Sequence, residues 1–238
     1  MGSDVDNSKT SDPAAPIVDV SSPVTLIGGG LVTEADLLLA LERAPVLVAA
    51  DGGAIPALAA GHVPQAVIGD FDSLPPGALA RIPADRQFRI AEQDSTDFDK
   101  ALRSISAPLI LAVGFLGARL DHQLAALNVL VRHSDRPCLM LGPSEVVFHL
   151  PPVFEIALSP GDPVSLFPMR PVAGRSTGLE WPIDGLHFAP GDRVGTSNRA
   201  LGPLRIDMAG PGMLVMLPRS AFDAAITALV RSPAVGSR

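Results

Sequence analysis

The chain has 238 residues, of which 47% are hydrophobic, so it carries enough apolar material for one large core or two small ones and is not generally disordered. A formal net charge of −7 argues against general nucleic-acid binding, which needs a basic surface, although an acidic protein still takes phosphates through a divalent metal. No apolar run approaches the roughly 20 residues of a membrane-spanning helix.

Residues 1–22 are rich in Ser, Asp, Pro and Asn without apolar periodicity and are expected to form a disordered tail; the basic start and apolar core of a secretory signal are missing. From Val24 to Gly142 short apolar runs alternate with helical patterns. The runs Val24–Ile27, Val46–Ala50, Ala66–Ile68, Gln87–Ile90, Leu109–Val113 and Cys138–Leu141 have the continuity of strands buried on both faces of a parallel sheet. Between them, Thr33 caps a helix carrying Leu37, Leu38, Leu39 and Leu41, and Ile55–Ala60 makes a short one. Thr96 caps Asp97–Ser104, and Leu120–His133 carries Leu120, Leu124, Leu127 and Val131 at helical spacing. This alternation predicts a Rossmann-like α/β domain over residues 23–143. Cys138, the only cysteine, has no disulfide partner and fits a buried strand residue of a cytoplasmic protein.

After Gly142 the pattern changes. Val146–Leu150, Val153–Leu158, Val164–Phe167, Arg193–Gly195, Leu204–Met208 and Met213–Leu217 are short strand candidates punctuated by Gly and Pro, and only Ala221–Val230 reads as a helix. Residues 144–238 are expected to be a small antiparallel β-sandwich domain closed by that helix.

Ligands of an open parallel sheet bind beyond the carboxyl ends of its strands. There the runs are followed by Gly28–Gly30, Asp51-Gly52-Gly53, Gly69-Asp70-Phe71-Asp72-Ser73, Gln93-Asp94-Ser95-Thr96-Asp97, and Gly114 with Gly117-Ala118-Arg119-Leu120-Asp121. Each segment alone reads as a turn, a cap or a surface pair; five on one edge point to a ligand site. Asp51, Asp70, Asp72, Asp94 and Asp97 cannot all stay ionised together without raised pKa values or a cation, and their hard oxygens favour Mg²⁺, Mn²⁺ or Ca²⁺ over zinc. Arginine is common, but Lys100, one turn after Asp97, is the only lysine outside the tail. It fits a phosphate contact, with Arg119 as a second, planar one. Asp121 and Asn128 share one face of the helix from Leu120. No GxxxxGK[ST] loop, dinucleotide fingerprint or Gly-x-Ser-x-Gly elbow is present.

Together these motifs resemble those of thiamine pyrophosphokinases. The matching stretches are Asp51-Gly52-Gly53-Ala54, Gly69 to Ser73, Gln93 to Ala101, Gly117 to His122, Ser176 to Trp181 and Gly195-Thr196-Ser197-Asn198, over about Val24 to Pro218. The resemblance implies transfer of a pyrophosphoryl group from ATP to the thiamine hydroxyl, with Mg²⁺ required and active sites at a homodimer interface. It implies Asp70, Asp72 and Asp97 as metal ligands, with Asp72, Asp97, Lys100 and Arg119 catalytic. Asp51, Gly52, Gly69, Ser73, Thr96, Lys100, Arg119, Asp121 and Asn128 are the expected ATP contacts. Gln93, Asp94, Trp181, Ser197 and Asn198 are those for thiamine, whose permanent cation suits the face of the only tryptophan. Asp94 and Asp97 are the candidates to accept the hydroxyl proton. Ala118 stands where the family often has glycine, and Arg199-Ala200 where an acidic residue usually follows. A diphosphokinase of another alcohol, such as a pterin, would share the nucleotide edge without the Trp181 loop. A non-catalytic nucleotide sensor would have no need of Asp70, Asp72, Asp97 and Lys100 together.

Overall fold

The computed structural model describes residues 15–232. The chain runs β1 (Val18–Asp19), β2 (Val24–Ile27), α1 (Glu34–Arg43), β3 (Val46–Ala50), α2 (Ala54–Ala59), β4 (Ala66–Gly69), α3 (Pro76–Leu79), β5 (Gln87–Arg89), α4 (Asp97–Arg103), β6 (Ile105–Ser106), β7 (Ile110–Val113), α5 (Leu120–Arg132) and β8 (Cys138–Leu141). It continues through β9 (Glu145–His149), β10 (Val153–Ile156), β11 (Pro163–Pro168), β12 (Val172–Leu179), β13 (His187–Phe188), β14 (Gly195–Met208), β15 (Met213–Pro218) and α6 (Phe222–Arg231).

Six strands pair in parallel in the order β8-β7-β2-β3-β4-β5. Alternate residues serve opposite faces, as the period of two requires. Ile27, Ala49, Val67 and Leu111 join one core with Leu37, Ala57 and Leu58 of α1 and α2. Leu26, Val48, Ile68 and Ala112 join the other with Phe98 and Leu102 of α4 and Val129 and Leu130 of α5. Both faces are covered, which is why these strands read as unbroken apolar runs. The chain leaves β2 towards β3 on one side and returns to β7 on the other, so strand order reverses between β2 and β7. A crevice opens at such a point, beyond the carboxyl ends.

The antiparallel region continues the same sheet. β9 pairs β8 (Leu139 opposite Phe148), and the order runs on through β15, β11, β14, β12 and β13. One edge of β14 pairs first with β11 and then, from Leu204 to Asp207, with β10. Its other edge pairs β12. The Phe148 and Phe154 rings meet at 5.2 Å, and α6 packs against β10. Among the described residues no helix is long and apolar enough to cross a membrane.

Three expectations need correction. The tail is shorter than residues 1–22, because Val18–Asp19 pairs in parallel with β6 and Val18 is buried there; residues 1–14 lie outside the described residues. Arg193–Gly195 and Leu204–Met208 are not separate strands, since β14 runs unbroken through Gly202 and Pro203. On α5, Leu120 and Leu124 are exposed, and Ala126, Val129, Leu130 and Val131 make the packed face. A 13-residue helix is about 20 Å long against about 13 Å for a four-residue strand, so its first turns overhang the sheet.

His149 closes the β9 end. Its Nε2 accepts a hydrogen bond from the Gly212 N–H at 2.9 Å, and burial, with the nearby Arg170 charge, pushes its pKa down to about 4. The folded imidazole is neutral while the unfolded one takes up a proton below its ordinary 6.5, so this residue's contribution is full above 6.5 and is lost as pH falls towards about 4. Urea midpoints followed by circular dichroism are expected to drop across that window, and His149→Gln should flatten the drop. An unchanged slope in the variant would remove His149 as its source.

Candidate active site

The switch-point crevice holds a cleft of about 510 Å³. The carboxyl ends of β2, β3, β4 and β7, the start of α4 and the overhanging turns of α5 line it. Of the residues expected from sequence, Asp51, Gly52, Asp70, Ser73, Thr96, Asp97, Lys100 and Arg119 are in its wall.

Asp51 follows β3 directly and is 1% exposed, with φ at 39°. Such a backbone is uncommon outside glycine, and asparagine and aspartate tolerate it best. Its Oδ2 accepts from the Ser73 N–H at 3.2 Å, whereas its Oδ1 is buried without a partner. Gly69, at the end of the neighbouring β4, makes this packing possible: a Cβ there would lie 2.6 Å from that of Asp51. Asp70 comes next. Phe71 then takes φ 70° and packs against the core, which turns the chain so that the Asp72 N–H reaches back to Asp70 Oδ1 at 3.2 Å. Asp97 opens α4 behind the Thr96 cap, whose Oγ1 accepts from the Asp99 N–H at 3.2 Å.

Lys100, one turn along α4, is 1% exposed. Its Nζ donates to Asp70 Oδ2 at 2.8 Å and to Asp97 Oδ1 at 3.1 Å. The Lys100 bond holds the Asp70 carboxyl below its ordinary range. Burial raises that of Asp97 in spite of Lys100, with the charges of Asp51 and Asp70 acting in the same direction. Burial alone would lower the Lys100 pKa, but its two carboxylate partners leave it raised. One carboxylate oxygen each from Asp51, Asp70 and Asp97 lies within 4.8 Å of the others. Three carboxylates against one ammonium leave a formal excess of two negative charges. An orphaned buried oxygen in an all-oxygen donor set fits a hard divalent cation.

The three gathered acids differ from the expected Asp70, Asp72 and Asp97. The left-handed Phe71 turns Asp72 outwards; it is exposed, and its Oδ1 accepts from the Ser73 Oγ at 2.9 Å. Gly69, Gln93, Asp94, Asp121 and Asn128 also lie outside the cleft lining. Asp121 reaches the rim only through Arg119, which it holds by two bonds of 3.2 and 2.6 Å. Ile55, Phe98, Phe115 and His122 also line the wall and were not among the residues expected to bind. The signal for His122 was its place three residues after Arg119, on the same face of the helix start.

Trp181, Ser197 and Asn198 lie in the antiparallel region, and none of them lines this cleft. Trp181 is 54% exposed. Near the end of β12, just before its loop, Gly178 has φ 89° and a Cβ there would stand 2.2 Å from the Pro203 carbonyl oxygen, so only glycine fits. Asn198 is buried, and Ser197 before it has φ 65°. The non-glycine residues of positive φ among those described are Asp51, Phe71 and Ser197, all within these two regions. Strain of this kind concentrates at functional sites.

The profile of the thiamin pyrophosphokinase catalytic domain matches residues 37–140. Thiamine pyrophosphokinase 1 of Oryza sativa subsp. japonica is 31% identical over 226 residues, covering 79% of this chain and 85% of the relative. The chain belongs to the thiamine pyrophosphokinase family. Thiamin pyrophosphokinase from Geobacillus thermodenitrificans superposes with a TM-score of 0.66 at 27% identity, over 82% of this chain and 96% of that one. The enzyme of that family from Candida albicans shares the fold at 18% identity, with a TM-score of 0.68 over 87% and 94% of the two chains. The α/β architecture with its antiparallel carboxyl-terminal region is thus that of thiamine pyrophosphokinases, and residues 37–140 contain the cleft's acids, Lys100 and Arg119.

Proposed function

We propose that this chain is a thiamine diphosphokinase, moving the pyrophosphoryl group of ATP onto the hydroxyl of thiamine and releasing AMP. The observation that carries the reading is the convergence of Asp51, Asp70, Asp97 and Lys100 at the switch point of a chain in this family. Residues 23–143 would bind the nucleotide and residues 144–238 the thiamine. Asp51, Asp70 and Asp97 would hold Mg²⁺, which when bound supplies charge compensation for the triphosphate. Lys100 and Arg119 would steady phosphoryl oxygens, Arg119 leaving its exposed pair with Asp121 to do so. The substrate hydroxyl oxygen attacks the β-phosphorus in line. The bond from that phosphorus to the oxygen bridging the α-phosphorus breaks, and AMP leaves with that oxygen. Such catalysis is mostly positioning and electrostatics. Of Asp94 and Asp97, the two candidates for the hydroxyl proton, Asp97 alone lines the cleft.

Trp181 does not line the acidic cleft. We place the complete site between two copies of the chain, with the Trp181 loop of one facing the cleft of the other. The buried, unpaired Cys138 suits the reducing cytoplasm. Incubation with ATP, Mg²⁺ and thiamine is expected to give AMP and thiamine diphosphate; ADP as product, or no turnover, would sink the proposal. Thiamine should quench the fluorescence of Trp181, and Trp181→Ala should raise the KM for thiamine about tenfold, between the sizes of an exposed and a desolvated cation–π contact.

A further inference from the structure

We infer that Asn198 is a positioning residue that presents Trp181 to the substrate by clamping the backbone beneath it, rather than a group that touches thiamine. The inference rests on the reading of Trp181 as the thiamine platform.

The clamp is closed in both directions. Asn198 Oδ1 accepts from the Trp181 N–H at 3.1 Å, and Asn198 Nδ2 donates to the Trp181 carbonyl at 2.7 Å. Oδ1 also accepts from the Arg199 N–H at 2.8 Å. Both acceptor positions of the amide oxygen are therefore used, and one of its two N–H groups. The three partners together admit a single orientation of the amide. Asn198 is 6% exposed, whereas its neighbours Ser197 and Arg199 are open to solvent.

The rest of the loop is tied down by the same kind of contact. The Glu180 N–H donates to the Arg199 carbonyl at 2.9 Å. Buried Ser176 accepts at its Oγ from the Ile183 N–H at 3.1 Å, and its own N–H donates to Asp184 Oδ2 at 3.1 Å. A tryptophan retained for packing hides its ring and leaves its backbone to ordinary loop partners. Here the backbone is fastened by buried polar side chains while the residue as a whole stays about half exposed. That is a preorganised aromatic surface, whose ordering cost is met on folding and not on binding.

Trp181 is the only tryptophan, so intrinsic fluorescence reports this loop alone. In the wild type, time-resolved anisotropy should show an indole that tumbles with the whole molecule. Asn198→Ala removes all three bonds and should add fast local motion of the ring. It should raise the KM for thiamine about tenfold, in line with loss of the oriented ring face. The KM for ATP should stay unchanged and kcat within about threefold. Asn198→Asp keeps both acceptor bonds but sets a carboxylate oxygen against the Trp181 carbonyl in place of the N–H donor, so ring motion and the thiamine KM should both rise here too. It serves if the alanine variant fails to fold by circular dichroism.

A freely mobile indole in the wild type would overturn the inference without any variant. A raised thiamine KM with unchanged anisotropy would overturn it too, since Asn198 would then contact the substrate itself. Failure of the underlying reading looks different: Trp181→Ala would leave the thiamine KM unmoved while Asn198→Ala still loosened the ring.

Discussion

Lys100→Met is expected to lower turnover by about 10²- to 10³-fold, the range for removing one preorganised stabiliser of developing charge. Methionine fills nearly the same buried volume, so packing against the core beneath α4 is retained. What changes is the charge. Lys100 holds Asp70 and Asp97 at 2.8 and 3.1 Å, and without it three carboxylates face one another with no cation. Breaking a fully buried pair costs about 3–5 kcal/mol. The loss here should be smaller, about 2 kcal/mol, because the Asp97 side chain is 34% exposed and water screens it. The same excess of charge makes a stronger trap for a divalent ion. Added Mg²⁺ should therefore raise the melting temperature of the variant more than that of the wild type, although its turnover stays low. Scanning calorimetry with and without Mg²⁺, and without nucleotide, reads this directly. Equal Mg²⁺ shifts in the two proteins would mean that Lys100 and the metal do not share the carboxylates.

The parallel half was legible because its physics is local. A strand buried on both faces needs an unbroken apolar run, and Val24–Ile27, Val46–Ala50 and Cys138–Leu141 begin and end where the pattern does. β12 escaped notice because Gly174, Arg175, Ser176 and Thr177 carry no alternation; its place is set by pairing with β14. The cleft was legible as a set of strand ends but not as a set of contacts. Sequence spacing favours Asp70 with Asp72, two residues apart. The fold prefers Asp70 with Asp51, because β3 and β4 are neighbours and Gly69 lets their ends close up. A single left-handed residue, Phe71, then turns Asp72 away, and nothing in the side chain of phenylalanine announces that conformation. Asn198 is a similar case. Its motif suggested a substrate contact, and only the fold shows its amide already occupied by the Trp181 backbone.

Asp51→Asn should separate stability from function. Asparagine has the shape of aspartate and is among the residues that best tolerate φ near 39°. Its amide oxygen can keep the bond from the Ser73 N–H. The orphaned Oδ1 becomes an N–H₂ group beside the carboxylates of Asp70 and Asp97, so a buried acceptor without a donor is replaced by a donor among acceptors. Removing the charge also relieves the Coulomb repulsion that helps to raise the Asp97 pKa. The variant is therefore expected to be as stable as the wild type or more stable by about 1 kcal/mol, in urea denaturation without metal. Turnover should fall by at least about 10²-fold, and the stabilisation by Mg²⁺ should largely disappear, because one of three hard ligands has become neutral. Asp51→Ala is the control for geometry: it forfeits the Ser73 bond and puts a residue ill suited to positive φ at that turn, so it should lose stability as well as activity. If Asp51→Asn were instead destabilised with its Mg²⁺ response intact, Asp51 would be a structural pin for the 70–73 turn. The strain at φ 39° would then serve the fold and not the metal.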